Sequence, residues 1–133
     1  MRMIIAVAAL AFTISAAFAQ PNTLTLACKG TTTWISGPEA KPEPFSMGMI
    51  VNFAAQTVQG FGMPLKITAA DELTVEFGDQ QEIGPSVMQS MHGSIDRVTG
   101  DVEATHAFFD SKTRKPISIT AFALQCRPTQ RMF

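Results

Sequence analysis

The sequence is poor in the residues that carry most catalytic and nucleic-acid-binding chemistry. Its 133 residues include no tyrosine, 1 tryptophan, 2 histidines and 2 cysteines. Only 16% of the residues are charged, and 10 Lys+Arg stand against 11 Asp+Glu, for a formal net charge of −1. Without excess positive charge or a platform of stacking aromatics, we expect no nucleic-acid partner. The hydrophobic fraction of 46% excludes a disordered tail and allows one globular domain.

The first residues have the pattern of a secretory signal peptide. Arg2 is followed by the nearly apolar run Met3–Phe12, and Ala17-Phe18-Ala19 fits the small-x-small cleavage rule. A membrane-spanning helix needs about 20 apolar residues, and this run is shorter. We therefore predict a signal peptide at 1–19, cleaved near Ala19-Gln20, and a periplasmic or secreted protein.

Residues 20–133 are predicted to form a single β-domain without a transmembrane segment. Apolar residues recur at every second position, which is typical of half-buried strands. The predicted strands are about 24–35, 45–53, 57–61, 65–70, 73–77, 87–96, 101–109 and 117–126. Pro38–Pro44 and Asp79–Ser86 are predicted to be exposed loops. Eight short strands with tight reversals predict an all-β fold, either a small antiparallel β-barrel of meander order or a β-sandwich.

The two cysteines are predicted to form a disulfide. Cys28 lies on the first predicted strand and Cys126 on the last, and an even cysteine count in an exported chain indicates a bond. The bond would close a loop of about a hundred residues, and it requires the two Cα atoms to approach within about 7 Å. The first and last strands must then be neighbours or face each other. The alternative is lipidation of Cys28 after Leu26-Ala27, but the position three before it is Thr25 and not a branched aliphatic residue.

Asp96 and Gly100 are predicted to form a structural turn. Asp96 can accept hydrogen bonds from the amides two and three residues on, and Gly100 can take the left-handed conformation that ends such a turn. Arg97 is placed to form a surface ion pair with Asp96.

No catalytic, cofactor-binding or metal-binding residue is predicted. His106 shares a strand face with Val102 and Phe108 and is expected in the core or at its rim, whereas His92 is expected to face solvent. Neither Ser86 nor Ser94 has the glycines of a nucleophile elbow.

The methionines allow one alternative. Met47-x-Met49 and Met88-x-x-Met91-His92 resemble thioether and imidazole sets that suit Cu(I). Methionine also fills irregular gaps in a core, and that is the interpretation we prefer for Met47 and Met49.

Several segments resemble a group of small exported β-proteins of alphaproteobacteria that carry no established activity. The resemblance rests on an Ile-Asp-Arg-x-Thr-Gly turn and a Cys-Arg-Pro C-terminal tail, and its segments are Leu26–Gly30, Thr57–Phe61, Gly93–Gly100 and Cys126–Phe133. It implies export and a β-architecture, and no site. In its cysteine placement the chain is also similar to periplasmic inhibitors of C-type lysozyme, which are small barrels, but it lacks their Ser-Gly-x-x-Tyr loop.

These observations predict a non-catalytic exported β-barrel that binds a small apolar ligand or a protein partner. The alternatives are a periplasmic protein inhibitor, like the lysozyme inhibitors, and a copper-binding protein. The barrel interior distinguishes them, because an eight-stranded barrel is either filled by side chains or holds one small ligand.

The exported protein should begin at Gln20. Its intact mass should correspond to residues 20–133, reduced slightly if the new N-terminal glutamine cyclises. A chain that begins at Met1, or one that is lipidated on Cys28, would contradict this prediction.

Overall fold

The barrel closes by pairing its last strand with its first. A computed structural model describes residues 22–130, and within them eight antiparallel strands follow one another around a closed barrel. The strands are β1 (Thr23–Trp34), β2 (Pro42–Asn52), β3 (Thr57–Gln59), β4 (Leu65–Ala70), β5 (Thr74–Gly84), β6 (Val87–Asp96), β7 (Asp101–Asp110) and β8 (Pro116–Pro128). The predicted meander barrel is confirmed, and the sandwich is not formed. The predicted signal peptide, 1–19, lies outside the described residues.

The alternation of apolar residues places one side of every strand in a common core. Within it, Met49, Val58, Leu65 and Val102 have no exposed surface. Burying a side chain of this size contributes about 1.5–3 kcal/mol, so the core is the main source of stability. The core also includes Leu26, Val51, Val75, Phe77, Met91, Ile95 and Leu124.

The disulfide lies at the seam between the first and last strands. Cys28 of β1 is directly paired with Cys126 of β8, and the two are bonded across a sequence separation of 98. Both cysteines are buried in the core. The predicted disulfide is confirmed, and it joins the two strands whose pairing closes the barrel.

The two ends of the barrel differ. At one end, Arg97 lies over the ring of Phe53, 5.2 Å from its centroid, and donates a hydrogen bond to the carbonyl of Asp71. Arg97 thus ties together the β2–β3, β4–β5 and β6–β7 turns and does not form the predicted ion pair with Asp96. We call this the closed end. The opposite end, where β1, β5 and β7 finish and β2, β6 and β8 begin, is the mouth.

Parts of the two predicted loops at the mouth belong to β-strands. β5 continues to Gly84, so Asp79–Gly84 is not a loop, and β2 begins at Pro42. The upper part of β5 is polar because it extends beyond the core, which removes the alternation that reveals a strand. Prolines are tolerated in β2 because its upper part has a neighbour on one side only: β3 pairs with Ile50–Asn52 alone.

Aspartates cap three of the turns. The Oδ1 atoms of Asp71, Asp96 and Asp110 each accept two backbone N–H groups, from the residues two and three positions on. Gly100 has φ 81° and its N–H donates to the Asp96 carbonyl, which is the geometry expected of the predicted turn. In the β7–β8 turn, Arg114 takes the corresponding position with φ 59°.

Loss of the disulfide should destabilise the barrel without changing its fold. Cys28→Ser should lower the free energy of unfolding by roughly 2–5 kcal/mol, partly because the unfolded chain regains the freedom of its long loop. The double variant Cys28→Ser/Cys126→Ser should lose about as much, since one bond is lost in each case. Urea unfolding measures both. Two free thiols per chain in the denatured, unreduced exported protein would refute the bond.

The three turn aspartates should make stability depend on acid pH. Backbone hydrogen bonds, chiefly from Leu73, Thr99 and Thr113, lower the pKa of Asp71, Asp96 and Asp110 below the ordinary 3.8. Their ionised forms therefore stabilise the fold above the unfolded-state pKa, and this contribution is lost as pH falls through the lower folded-state values. The urea concentration at which half of the protein is unfolded should therefore decrease as the pH is lowered below about 4. The triple change to Asn, which keeps the acceptor oxygen without the charge, should flatten that fall. An equally steep fall in the triple variant would show that these carboxylates do not contribute.

Candidate functional site

The mouth is open because two strands stop short. β3 has 3 residues and β4 has 6, whereas β1, β2, β5, β6, β7 and β8 have 10 to 13. Above Lys66, which pairs with Gly78, β5 has no neighbour on the β4 side. The inner faces of the long strands are therefore left partly uncovered at the mouth.

Four phenylalanines form the floor of this opening. The ring of Phe122 lies 5.3 Å from that of Phe45 and 5.4 Å from that of Phe61, and Phe61 stacks on Phe77 at 5.8 Å between centroids. Phe77 is buried, whereas the other three are half-buried although they pack against the core. We call these four residues the phenylalanine floor. Its apolar surface is accessible from the mouth and closed from below by the core.

The β3–β4 loop supplies Phe61 to the floor from the open side. Gly60 and Gly62 flank it with φ 141° and 80°, a region of backbone conformation that glycine adopts without strain. A Cβ at Gly60 would also collide with the carbonyl oxygen of Gly48. These two glycines let the loop turn inward, where it takes the place of the missing strand ends.

A chain of polar side chains lies above the floor. Gln81 donates through Nε2 to Oε1 of Gln89 at 3.2 Å, and Nε2 of Gln89 lies 2.7 Å from Nε2 of His106. His106 lies one inward-facing position nearer the mouth than the floor, because Ala104 pairs with Phe122 and His106 with Thr120. The ring of Phe108 lies 4.7 Å from that of His106. We call Gln81, Gln89 and His106 the polar chain.

The polar chain favours a neutral His106. With the Gln89 amide in this orientation, its N–H points at Nε2 and needs an imidazole lone pair there, which assigns the ring proton to Nδ1. Partial burial lowers the pKa of His106, which acts in the same direction. Among the described residues nothing accepts a hydrogen bond from Nδ1, so this N–H is a donor available in the mouth.

Trp34 stands at the edge of the mouth in a fixed position. Its indole Nε1–H donates to Oγ of Ser118 at 3.2 Å. A Cβ at Gly37 would lie 2.5 Å from the ring, so the following loop packs directly against the indole. Trp34 is nevertheless 52% exposed. A rigid aromatic side chain is thus presented to solvent beside the polar chain.

The outer wall carries a second recess. A groove of about 590 Å³ crosses the sheet from β4 through β8 to β1. Its lining includes Glu76, His92, Ser94 and Glu103, and also Phe77 and Phe122 of the phenylalanine floor. Ser94 pairs with Glu76 on one side and Glu103 on the other. No hydrogen bond joins His92 to Ser94 in the described part of the chain, so the groove contains no assembled nucleophile and base.

The predicted histidines and methionines fall on different faces. His106 is half-buried on the inner face and His92 is exposed on the outer wall, as expected. Met49 and Met91 are buried in the core, and Met47 packs against it. Met91 and its neighbour His92 therefore point in opposite directions. Between residues 22 and 130, no group of three or more His, Cys, Asp or Glu side chains is placed to hold a metal ion.

The residues of the mouth are largely ones that the sequence did not single out. Gln89 shares the parity of the buried Met91 and Ile95 along β6, so its inward position could have been found from period two. Gln81 was hidden because its segment has no apolar alternation. Trp34 and Ser118 lie 84 positions apart, and only the register of β1 with β8 brings them together.

No family model, curated protein or solved structure matches the chain. The described residues include no helix of the length and apolarity that a membrane crossing requires.

Proposed function

We propose that the protein is a non-catalytic, exported binding barrel that holds a small, neutral, mainly apolar ligand in its mouth. The observation that carries this proposal is the half-buried phenylalanine floor. Aromatic side chains on the inner face of a barrel are normally sealed, whereas three of these four, Phe45, Phe61 and Phe122, keep accessible surface. Apolar surface that stays accessible at the bottom of a recess is the usual basis of small-ligand binding.

The shape of the interior limits the ligand. The core below the floor is filled, since Met49, Leu65 and Val58 have no exposed surface. A ligand therefore lies on the floor and does not thread through the barrel. A ring of the ligand can stack on the half-buried Phe45, Phe61 and Phe122.

The polar chain sets the orientation of the ligand. With Nε2 of His106 occupied by Gln89, the Nδ1–H group donates to an acceptor such as a carbonyl or ether oxygen. An N–H donor beside the Phe108 ring selects a hydrogen-bond acceptor over an ammonium, and the polar chain contains no cation that would pair with a carboxylate. The ligand class is thus an uncharged amphiphile with one hydrogen-bond acceptor.

The disulfide supports the proposed setting. A buried bond between the first and last strands is consistent with a location outside the cytoplasm. Together with the signal peptide expected at residues 1–19, it supports a periplasmic or secreted binding protein.

Prodan, a neutral naphthalene ketone whose emission shifts to the blue in apolar surroundings, should bind in the mouth. The chain has 1 tryptophan, so Trp34 is the only tryptophan donor for energy transfer to the dye, and the mouth variants locate the dye. Thr120→Leu fills the space beside His106 and should weaken binding by about tenfold or more, a loss of about 1.4 kcal/mol. His106→Leu removes the donor and should weaken it about fivefold, as expected for one hydrogen bond.

Two outer-wall variants are matched controls. Thr105→Leu and His92→Leu make the same substitutions at exposed positions on β7 and β6, and they should leave the dissociation constant within about twofold. Circular dichroism and urea unfolding establish that each variant is folded. The proposal is wrong if the parent protein shows no saturable binding, or if the wall variants lose as much affinity as the mouth variants.

A further inference from the structure

We propose that the mouth docks onto the surface of a bilayer that contains anionic phospholipids. The inference rests on the mouth being the working surface, as proposed above, but not on the small ligand itself. It starts from the distribution of exposed apolar side chains. Of the six large hydrophobic residues that are exposed between residues 22 and 130, four lie at the mouth. These four, which we call the rim, are Trp34, Ile35, Ile83 and Ile117, each between 48% and 56% exposed.

Two rim residues are displaced from the strands by bulges. Glu82 pairs with Met88 and Gly84 with Val87, which leaves Ile83 without a partner in the register. Across the barrel sheet, Phe108 pairs with Ser118 and Phe109 with Pro116, which leaves Ile117 unpaired. A bulge redirects the side chain of its extra residue, and bulges concentrate at barrel rims beside functional sites. Two separate bulges that each expose an isoleucine at the same end indicate a surface built for contact.

Positive charge lies beside the rim. The β7–β8 hairpin loop, residues 111–115, carries Lys112, Arg114 and Lys115, all of them exposed. We call this loop the cationic hairpin. None of its three cations forms an ion pair within the described residues, where the two ion pairs are Lys41–Glu39 and Lys66–Asp79. The loop leads through Pro116 directly into Ile117 of the rim.

The acidic groups of the mouth do not cancel this charge locally. Asp110, at the start of the cationic hairpin, is ionised and accepts two backbone amides of the turn, so this carboxylate and the three cations together leave a net charge of +2. Glu39 lies 4.0 Å from Lys41. Glu43 on β2 and Glu82 on β5 are each two strands away from the hairpin, about 10 Å at the usual strand spacing, which is about one Debye length in physiological salt. The hairpin is therefore a local patch of positive charge.

A lipid surface suits this arrangement better than a protein partner. The rim residues are exposed on three separate segments around the mouth and do not form one continuous strip along a single element. Exposed tryptophan and isoleucine beside lysine and arginine are the combination that inserts at the headgroup boundary while the cations contact phosphates. The neutral phenylalanine floor then opens toward the bilayer, from which an uncharged amphiphile can enter.

Vesicles of phosphatidylglycerol and phosphatidylcholine should bind the exported protein, and vesicles of phosphatidylcholine alone should bind it much less. Binding should shift the emission of Trp34 to the blue, and brominated lipids should quench it, because this tryptophan is at the rim. Lys112→Glu/Arg114→Glu/Lys115→Glu should reduce the partition coefficient by about tenfold or more, since each cation near an anionic surface contributes about fivefold. Ile83→Ser/Ile117→Ser should reduce it as well and should also diminish the emission shift.

Each variant has a matched control at the far side of the molecule. Lys29→Glu/Arg127→Glu reverses two charges on the barrel wall and near the closed end, and Lys112→Glu/Lys115→Glu is the matched double variant of the cationic hairpin. Leu73→Ser/Val98→Ser removes two exposed hydrophobic residues, 63% and 74% exposed, from the closed end. Both controls should retain binding within about twofold, because none of these side chains lies at the mouth.

The docking proposal is overturned by absence of binding to anionic vesicles in low salt, by binding that leaves Trp34 emission unchanged, or by equal losses in the mouth and control variants. Concentration-dependent self-association that the rim variants abolish, measured by sedimentation without lipid, would assign the rim to a second copy of the chain and also overturn it. Prodan binding in the absence of vesicles separates the two proposals. Retained prodan binding without vesicle binding refutes only the docking, and the converse refutes only the ligand site.

Discussion

An eight-stranded sheet becomes a barrel only when its outermost strands pair. Here that pairing joins residues that are separated by most of the domain's sequence. Cys28 and Cys126 are 98 positions apart and directly opposite each other in the register. Backbone pairing at such a separation is slow to form, because the loop entropy is lost before any contact compensates for it. Once the disulfide has formed, it reduces this loop-closure cost by roughly 4–5 kcal/mol in the chain-entropy model. Every inner-face contact depends on this seam, since an open sheet would expose the core.

The asymmetry of the barrel follows from its short side. β3 and β4 bury one or two residues each on the inner face, which is enough to complete the core but not to continue the wall to the mouth. The β3–β4 loop compensates by turning Phe61 inward against Phe77 and Phe122. The same shortage of wall that makes Phe61 necessary leaves the phenylalanine floor accessible. Stability and the candidate site therefore have one structural origin.

The sequence predicts most of the fold and little of the site, because the alternation of apolar and polar residues identifies only strands that have the core on one face and water on the other. Where a strand has the core on one face and water on the other, alternation shows it, as in Asp101–Phe109. At the mouth both faces reach polar surroundings, so the segment Asp79–Gly84 has no alternation and looks like a loop. The polar chain also depends on register: Gln89 reaches His106 only because β6 and β7 pair as they do, and a slip of one residue would place Gln89 on the outer wall.

Each end of the barrel contains one non-glycine residue with positive φ, Gln56 at the closed end and Arg114 at the mouth. The β6–β7 turn at the closed end and the β7–β8 turn at the mouth share one design, an aspartate that caps two amides and a residue with positive φ four positions later. At the closed end that residue is Gly100, which adopts the conformation freely. At the mouth it is Arg114, for which the same conformation costs about 1–2 kcal/mol. The guanidinium of Arg114 lies 5.8 Å from the Phe109 ring centroid, and this contact offsets part of the cost. Gln56 adopts the same conformation at the closed end with φ 57°, so the fold accepts this cost at both ends, and the mouth differs by the three cations of its hairpin and not by backbone strain.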